Sequence, residues 1–309
     1  MAKSEALEGL IAALRARPIS PDTSWEERRR MMEEWQAALP LPGEVKLEPA
    51  SAAGVRAEWV LRPDSDADRA ILYLHGGGYA LGSIATHRFV MQAIGQAAGA
   101  RVLGIDYRLA PENPFPAAVE DAVAAWGWIV ARGLDAGRCA IAGDSAGGGL
   151  ALATLVALRD RGVPLPGAAA LLSPWTDLAG TGASVQGKAA QDPMVTQVML
   201  ERMAAAYVAG GDLRDPLASP LYADLSGLPP ILIQVGSAEI LLDDSTRLAE
   251  RARAAGVEAE LEVWEDMVHV FQAFPMLEEA GQAVGRIGEF VRARTGAASS
   301  AAARAQAQA

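Results

Sequence analysis

Short runs of consecutive apolar residues alternate along most of this chain with longer segments whose apolar positions recur every three or four residues. Such runs are typical of strands buried on both faces, and the longer segments are typical of amphipathic helices. In chain order, the runs that indicate strands are AEWVLRP, RAILYLHGGG, RVLGIDY, CAIAG, AAALLSP, ILIQVG and AELEVW. The alternation predicts an α/β protein with a mostly parallel sheet that is covered by helices on both faces.

Two regions interrupt this alternation. The first forty residues or so carry helical, amphipathic patterns, and DTSWEERRRMMEEWQAAL opens with several residues suited to an N-cap. A later region holds helical patches without a convincing strand, which indicates an insertion lying over the sheet. The predicted segments are N-terminal cap helices at 1–45, core at 46–176, a cap insertion at 177–219, core at 220–296 and a disordered tail at 297–309.

Charge and composition restrict the classes of partner and site that this protein is expected to have. The 27 basic and 38 acidic residues give a net charge of −11, which opposes binding to nucleic acid or to an anionic membrane. Without a signal peptide or a bilayer-length apolar run, we expect a cytoplasmic protein. Cys139 is the only cysteine and there are three histidines, so a His/Cys metal site is not expected. A site of carboxylates alone stays open, although no pattern points to one.

Residues 143–149, GDSAGGG, lie between a predicted strand and a predicted helix and match the G-x-S-x-G nucleophile elbow. A strand-to-helix turn this sharp strains the backbone of Ser145 and leaves no room for side chains at 143 and 147. It also places the Ala146 amide at a helix N-terminus, where it would face a developing oxyanion. Taken alone, the motif is equally consistent with a glycine-rich turn that holds an incidental serine.

A second glycine motif favours the chemical interpretation. The segment YLHGGGYALGS ends a predicted strand, and its consecutive glycines expose backbone amides that no side chain shields. This is the form of an oxyanion-hole loop in esterases and lipases. Both motifs in this order are hard to explain as incidental turns, and they predict a serine hydrolase.

A nucleophilic serine needs a base. His269, just past the last predicted strand, is the only histidine that follows Ser145. We expect His75 to belong to the glycine loop, and His87, near a predicted helix start, to have a capping or packing role.

The orienting acid has several candidates. Glu239, Asp243, Asp244 and Asp177 all satisfy the order serine, acid, histidine. Glu239 is favoured because it lies in the loop directly after a strand. Asp243 and Asp244 begin the next helix, where N-capping explains them well.

These features together resemble the hormone-sensitive lipase family of α/β-hydrolases, called family IV among bacterial lipolytic enzymes. The resemblance rests on HGGG at 75–78, DYRLAPE at 106–112, GDSAGG at 143–148 and the acid–histidine pair downstream. The GDSAG pentapeptide places the chain in the branch that carries it. The resemblance implies an α/β-hydrolase fold with an eight-stranded sheet and a helical cap. It also implies hydrolysis of short-chain acyl esters without a cofactor.

The resemblance also implies roles for individual residues. Ser145 corresponds to the nucleophile and His269 to the base. The family commonly has D-P-L-x-D at the acid loop, and here the same register reads E-I-L-L-D, which puts Glu239 in the catalytic place. The family's glycine shortly before the histidine is replaced by Asp266 and Met267. The oxyanion-hole amides correspond to Gly77, Gly78 and Ala146.

Other expectations follow from the same segments. In DYRLAPE, we expect Arg108 and Glu112 to form a structural ion pair under the glycine loop. The edge strand AELEVW favours a homodimer in which two copies pair. Two alternatives to an esterase remain: a lactone hydrolase with the same machinery, and a ligand-binding module of the same fold. The presence of His269 argues against the second.

Overall fold

A single sheet organises the chain. The computed structural model describes residues 3–16, 20, 22–36 and 40–296. In these residues the eight-stranded sheet has the order β1-β2-β4-β3-β5-β6-β7-β8, with β1–β2 and β2–β4 antiparallel and the other pairs parallel. The strands are β1 (Lys46–Ala52), β2 (Val55–Leu61), β3 (Asp66–Leu74), β4 (Ala100–Asp106), β5 (Ala140–Asp144), β6 (Ala168–Leu172), β7 (Ile231–Gly236) and β8 (Ala259–Trp264). The expected α/β architecture is confirmed.

Helices cover both faces of this sheet. The helices of the described residues are α1 (Glu5–Arg15), α2 (Trp25–Gln36), α3 (Ile84–Ala98), α4 (Ala117–Ala131), α5 (Ala146–Asp160), α6 (Ser184–Gly187), α7 (Gln197–Val208), α8 (Leu242–Ala254) and α9 (Glu278–Thr295), of which α3, α4, α5, α8 and α9 contact the sheet. Alternate residues of β3 belong to opposite layers, since Ile71 lies in the hydrophobic cluster that includes α3 and α9, whereas Leu72 lies in the cluster that includes α4, α5 and α8. Within the described residues, none of the helices is long and apolar enough to span a bilayer.

Strand β1 is absent from the strands that the apolar pattern indicates. Its sequence, KLEPASA, is mostly polar or small, and most of its residues are exposed or half-buried. Among the described residues this strand lies at the sheet edge and pairs with β2 alone, and Pro49 is tolerated there because one side of the ladder is open. An edge position of this kind leaves little hydrophobic signal in the sequence.

The regions predicted as a cap contain helices joined by irregular segments. Helices α1 and α2 lie in the first and α6 and α7 in the second. Ser24 caps α2 by accepting a hydrogen bond from the Glu27 amide at 3.2 Å. The two regions meet where Arg202 of α7 donates to the Thr23 carbonyl and stacks over Trp25. The predicted segment boundaries stay a prediction, and the tail 297–309 lies outside the described residues.

The expected ion pair between Arg108 and Glu112 is wrong. The chain between them is not helical, so a spacing of four residues does not bring the side chains together. Arg108 instead pairs with Asp121 of α4 at 2.8 Å. Glu112 pairs with Arg29 of α2 at 2.7 Å.

Arg29 also joins α2 to the core through main-chain oxygens. Its Nε donates to the Ala80 carbonyl at 2.8 Å, and its Nη2 donates to the Ala110 carbonyl at 2.9 Å. Ala80 closely follows the three glycines of the HGGG motif. One side chain therefore ties the first cap region to the glycine loop.

The packing predicts that two leucines differ clearly in their contribution to the free energy of unfolding. Leu72 on β3 is 0% exposed, whereas Leu213 is 37% exposed. We expect Leu72→Ala to lower the free energy of unfolding by about 2–5 kcal/mol, because it leaves a cavity in the core. Leu213→Ala is the matched control and should change it by less than about 0.5 kcal/mol. Urea unfolding followed by circular dichroism measures both, and equal losses would contradict the assigned core.

Candidate active site

Ser145 occupies the turn between β5 and α5 with φ 53° and ψ −123°. This region is unfavourable for a residue with a Cβ atom and costs about 1–3 kcal/mol. The Ser145 amide donates to the Leu172 carbonyl at 2.8 Å, and the Ser145 carbonyl accepts from the Trp175 amide at 2.9 Å. Hydrogen bonds to the end of β6 and to the chain after it therefore hold the strained serine at the N-terminus of α5.

The serine motif and the glycine loop are in direct contact. A Cβ atom at Gly147 would overlap the carbonyl oxygens of Leu74 and His75, so only glycine lets α5 approach the end of β3. The Gly76 amide also donates to Asp144 Oδ1 at 3.1 Å. The two motifs that the sequence singles out are thus neighbours.

The glycine loop presents its backbone rather than side chains. Gly78 has φ +61°, and a Cβ atom there would overlap the sulfur of Met203, which lies over it from α7. Gly77 accepts a hydrogen bond from the Leu81 amide at 2.8 Å, which closes the turn. In the described part of the chain, the amides of Gly77, Gly78 and Ala146 donate to no other protein atom. They remain available to a ligand.

His269 and Glu239 form a buried pair after β8 and β7. His269 Nδ1 lies 2.7 Å from Glu239 Oε2, and the two residues are 6% and 0% exposed. The second oxygen, Glu239 Oε1, accepts hydrogen bonds from the Ser173 hydroxyl at 2.8 Å and the Gly236 amide at 2.7 Å. The Ser173 hydroxyl in turn accepts from the Val270 amide at 3.1 Å. Ser173 therefore connects the acid to the chain that carries the histidine.

Nearby carboxylates determine the direction in which the pKa of His269 is shifted. Burial alone would lower the pKa of His269, but the charge and hydrogen bond of Glu239 outweigh burial, with further contributions from Asp192 and Asp144. The pKa of the His269 imidazole is therefore raised above its ordinary 6.5. Asp192 also accepts from the Ile240 amide at 2.9 Å, so it supports the loop that carries Glu239.

The other acid candidates have different partners. Asp243 accepts from the Ser184 amide at 2.9 Å, and Asp177 pairs with Arg247 at 2.9 Å. Asp244 accepts two backbone amides, and burial raises the pKa of this carboxyl to about 7. Over the residues that the structure describes, none of these three carboxylates is hydrogen-bonded to His269.

Ser145 and His269 are not hydrogen-bonded to each other as His269 and Glu239 are. Among the described residues, no hydrogen bond links Ser145 Oγ to the His269 ring. Hydrogen bonds of this type are often long before a substrate is bound. The structure thus brings the candidate acid to the candidate base and places the serine at the elbow without a direct bond to that base.

Comparison with known proteins places the chain in a family. Residues 71–273 match a family model described as alpha/beta hydrolase fold. The chain is 52% identical over 241 residues to an acetyl-hydrolase of Streptomyces hygroscopicus, covering 78% of this chain and 80% of that protein. It is 34% identical over 286 residues to an esterase of Acinetobacter venetianus, covering 92% and 94%.

Solved structures agree with this placement. An esterase from the bacterial hormone-sensitive lipase family is 52% identical, with a TM-score of 0.93 over 96% of this chain and 100% of that one. This chain belongs to the hormone-sensitive lipase family of α/β-hydrolases. EstE5, in a crystal soaked with p-nitrophenyl butyrate, is 47% identical with a TM-score of 0.92 over 96% and 100%. The family and the enzyme class predicted from the sequence, a carboxylic ester hydrolase, are confirmed.

Some residues around this family site carried too little sequence signal to be found. Asp144 lies inside GDSAG, yet its partners Tyr73 and His87 are distant in the chain. Of the capping or packing role expected for His87, the structure shows packing: His87 is buried against Tyr73 and His75, while Ser83 caps α3 together with Thr86. Ser173 and Asp192 are isolated polar residues in loops, where nothing in the sequence distinguishes them from solvated side chains.

The site offers no obvious place for a metal ion. Within the described ranges, there is no group of three or more His, Cys, Asp or Glu side chains placed to hold one. Cys139 is buried away from solvent, and burial raises the pKa of its thiol to about 11. The thiol is therefore protonated near neutral pH and poorly suited as a ligand or nucleophile.

Proposed function

We propose that this enzyme is a serine carboxylesterase that hydrolyses short-chain acyl esters through Ser145, His269 and Glu239. The observation that carries the proposal is the 2.7 Å contact between His269 Nδ1 and Glu239 Oε2. Because a carboxylate can only accept, Nδ1 must donate, and Nε2 of the neutral ring is left as an acceptor. A neutral imidazole held in this tautomer has the property required of a general base.

In the first half of the reaction, His269 Nε2 takes the Ser145 proton as Oγ attacks the ester carbonyl carbon. Charge then develops on the carbonyl oxygen. The amides of Gly77, Gly78 and Ala146 donate hydrogen bonds to it, and the positive end of the α5 dipole adds to the stabilisation. The protonated His269 finally donates its proton to the departing alcohol, which leaves the acyl group on Ser145.

In the second half, His269 accepts a proton from water as the water oxygen attacks the acyl carbon. The tetrahedral oxyanion is stabilised by the same amides, and the return of the proton to Ser145 Oγ releases the acid. Glu239 remains ionised throughout, because its role is to orient the ring and stabilise the imidazolium. The cycle balances without a cofactor or a metal.

Several features support a preference for small acyl groups. Met203 lies against Gly78, and the buried rings of Tyr79 and Tyr207 stack at 3.7 Å beside the glycine loop. Side chains therefore fill the space next to the proposed oxyanion hole. Two relatives support the same preference: one is named an acetyl-hydrolase, and crystals of the other were soaked with p-nitrophenyl butyrate.

Other proposals accompany this one. A lactone is a cyclic ester that the same residues would hydrolyse, whereas a purely ligand-binding role would leave the buried His269–Glu239 pair without a purpose. The exposed edge of β8, with Val263 at 45% exposure, is where we propose that two copies pair into a homodimer. We further propose a cytoplasmic location and a small-molecule ester substrate, with no nucleic acid or membrane as partner.

The acyl-chain preference can be measured with p-nitrophenyl esters from acetate to palmitate. We expect hydrolysis of the short esters and little of the long ones, and loss of activity in Ser145→Ala by about 10³-fold or more. A folded wild type that hydrolyses none of the series would contradict the proposal. The same assay on a series of lactones distinguishes an esterase from a lactone hydrolase.

The identity of the acid can be tested with two isosteric changes. Glu239→Gln removes the charge that faces His269 and should lower kcat about 10⁴-fold. Asp243→Asn is the matched control, because its side chain contacts the Ser184 amide rather than the histidine, and it should retain activity within about twofold. The opposite ranking of the two variants would move the acid to Asp243.

The raised pKa of His269 determines the acid side of the pH profile. Below that pKa the ring is protonated and cannot accept the Ser145 proton, so kcat/KM should fall as the pH falls. The midpoint should lie above the ordinary 6.5, because Glu239 stabilises the protonated ring. Measurement on p-nitrophenyl acetate from pH 5 to 8 gives this midpoint. A midpoint below 6.5, or a flat profile, would be inconsistent with this base.

A further inference from the structure

The Asp144 carboxylate joins the glycine loop to the serine elbow. Its Oδ1 accepts hydrogen bonds from the Tyr73 hydroxyl at 2.7 Å and from the Gly76 amide at 3.1 Å. Asp144 directly precedes Ser145 and is only 3% exposed. A buried carboxylate is strongly unfavourable unless a positive charge compensates it.

Two histidines lie close enough to supply that charge. Burial, together with the charge of His87, lowers the pKa of His75 to about 3, so His75 is neutral. His87 Nε2 lies 3.4 Å from Asp144 Oδ2, and His87 is 6% exposed. Burial alone would lower the pKa of His87, but the Asp144 charge outweighs burial and raises it.

The hydrogen-bond partners of His87 lead to the same protonation state. Nε2 faces a carboxylate, which can only accept. Nδ1 lies 3.1 Å from the Ser83 carbonyl, another acceptor, and 2.7 Å from the Thr86 hydroxyl. The Thr86 hydroxyl also lies 2.9 Å from the Ser83 carbonyl, and when it donates there it accepts from Nδ1. Each ring nitrogen therefore faces at least one oxygen that can only accept, the Asp144 carboxylate at Nε2 and the Ser83 carbonyl at Nδ1, and this arrangement favours the doubly protonated imidazolium.

The surroundings of this pair contain few other charges. Tyr73 from β3 faces His87 with ring centroids 6.3 Å apart, and His75 faces it at 5.4 Å. Asp144 comes from β5. In the part of the chain that the structure describes, no lysine or arginine pairs with Asp144. His87 is therefore its charged partner.

We propose that protonated His87 is a positioning residue for the glycine loop: it fixes the Asp144 carboxylate, which in turn holds the Gly76 amide beside the serine elbow. The inference rests on the proposed esterase function, in which this loop donates to the oxyanion. His87 itself contacts no substrate. It acts through Asp144 on the two residues after Gly76, whose amides form the oxyanion hole.

The Glu239–His269 and Asp144–His87 pairs require opposite protonation states of their histidines. His269 must be neutral to accept a proton, whereas His87 must be protonated to hold the loop. Activity should therefore fall at low pH, as His269 gains a proton, and fall again at higher pH, as His87 loses one. The fall in activity at higher pH, the alkaline limb of the profile, is expected only if protonated His87 positions the loop.

The charge state can be read directly, because the chain has only three histidines. Nuclear magnetic resonance of protein labelled with ¹³C at histidine Cε1 gives a titration curve for each ring, and His87→Gln and His269→Gln assign two of the signals. We expect His87 to be protonated at the pH of maximal activity. Asp144→Asn should lower the pH at which His87 titrates.

Kinetics test the effect on the loop. His87→Gln keeps a donor toward Asp144 but removes the charge. It should lower kcat by about 10–100-fold, less than the ~10²–10³-fold cost of removing an oxyanion donor outright, with KM within about twofold. The alkaline limb should disappear. Gln92→Met, on the same helix and 5% exposed, is the matched control and should leave the profile unchanged.

Two results would overturn the inference. One is a neutral His87 in the wild type at the pH of maximal activity, which needs no variant and so does not depend on how well His87→Gln folds. The other is an unchanged kcat and alkaline limb in folded His87→Gln. Failure of the wild type to hydrolyse any ester would instead overturn the proposed function, while the titration would still report the charge of His87.

Discussion

The left-handed backbone of Ser145 is the constraint on which the rest of the site depends. A residue with a side chain adopts φ 53° only when its surroundings leave no alternative. Here the surroundings are β6 and the chain after it, which bind both main-chain groups of the serine, and Gly147, which lets α5 pack against the end of β3. The core therefore holds this conformation in place.

Two carboxylate–imidazole pairs flank this strained turn, and they differ in what they do. The Glu239–His269 pair is suited to move a proton, because one ring nitrogen is left as an acceptor. The Asp144–His87 pair has acceptors at both nitrogens and is suited to hold a charge in place. The same two kinds of side chain, a carboxylate and an imidazole, thus form two pairs with different properties, and the difference lies in the partner of the second ring nitrogen.

The sequence predicted the parts of the structure that depend on local pattern. The elbow and the glycine loop were found because each is a short motif at the end of a strand. Strand β1 was not, because an edge strand carries little hydrophobic signal. The expected Arg108–Glu112 pair is wrong because α4 and α2, which are distant in the chain, supply other partners. His87 and Asp144 are brought together only by the packing of α3 on the sheet, which no local pattern encodes.

Arg29 has a consequence for how the first cap region and the glycine loop respond to each other. It binds α2 to the carbonyls of Ala80 and Ala110, so α2 cannot swing outward without removing a donor from the stretch that follows the glycine loop. Any ligand that displaces α2 must therefore also disturb the main chain next to the HGGG motif. The position of α2 and the conformation of the glycine loop are thus energetically coupled through one guanidinium.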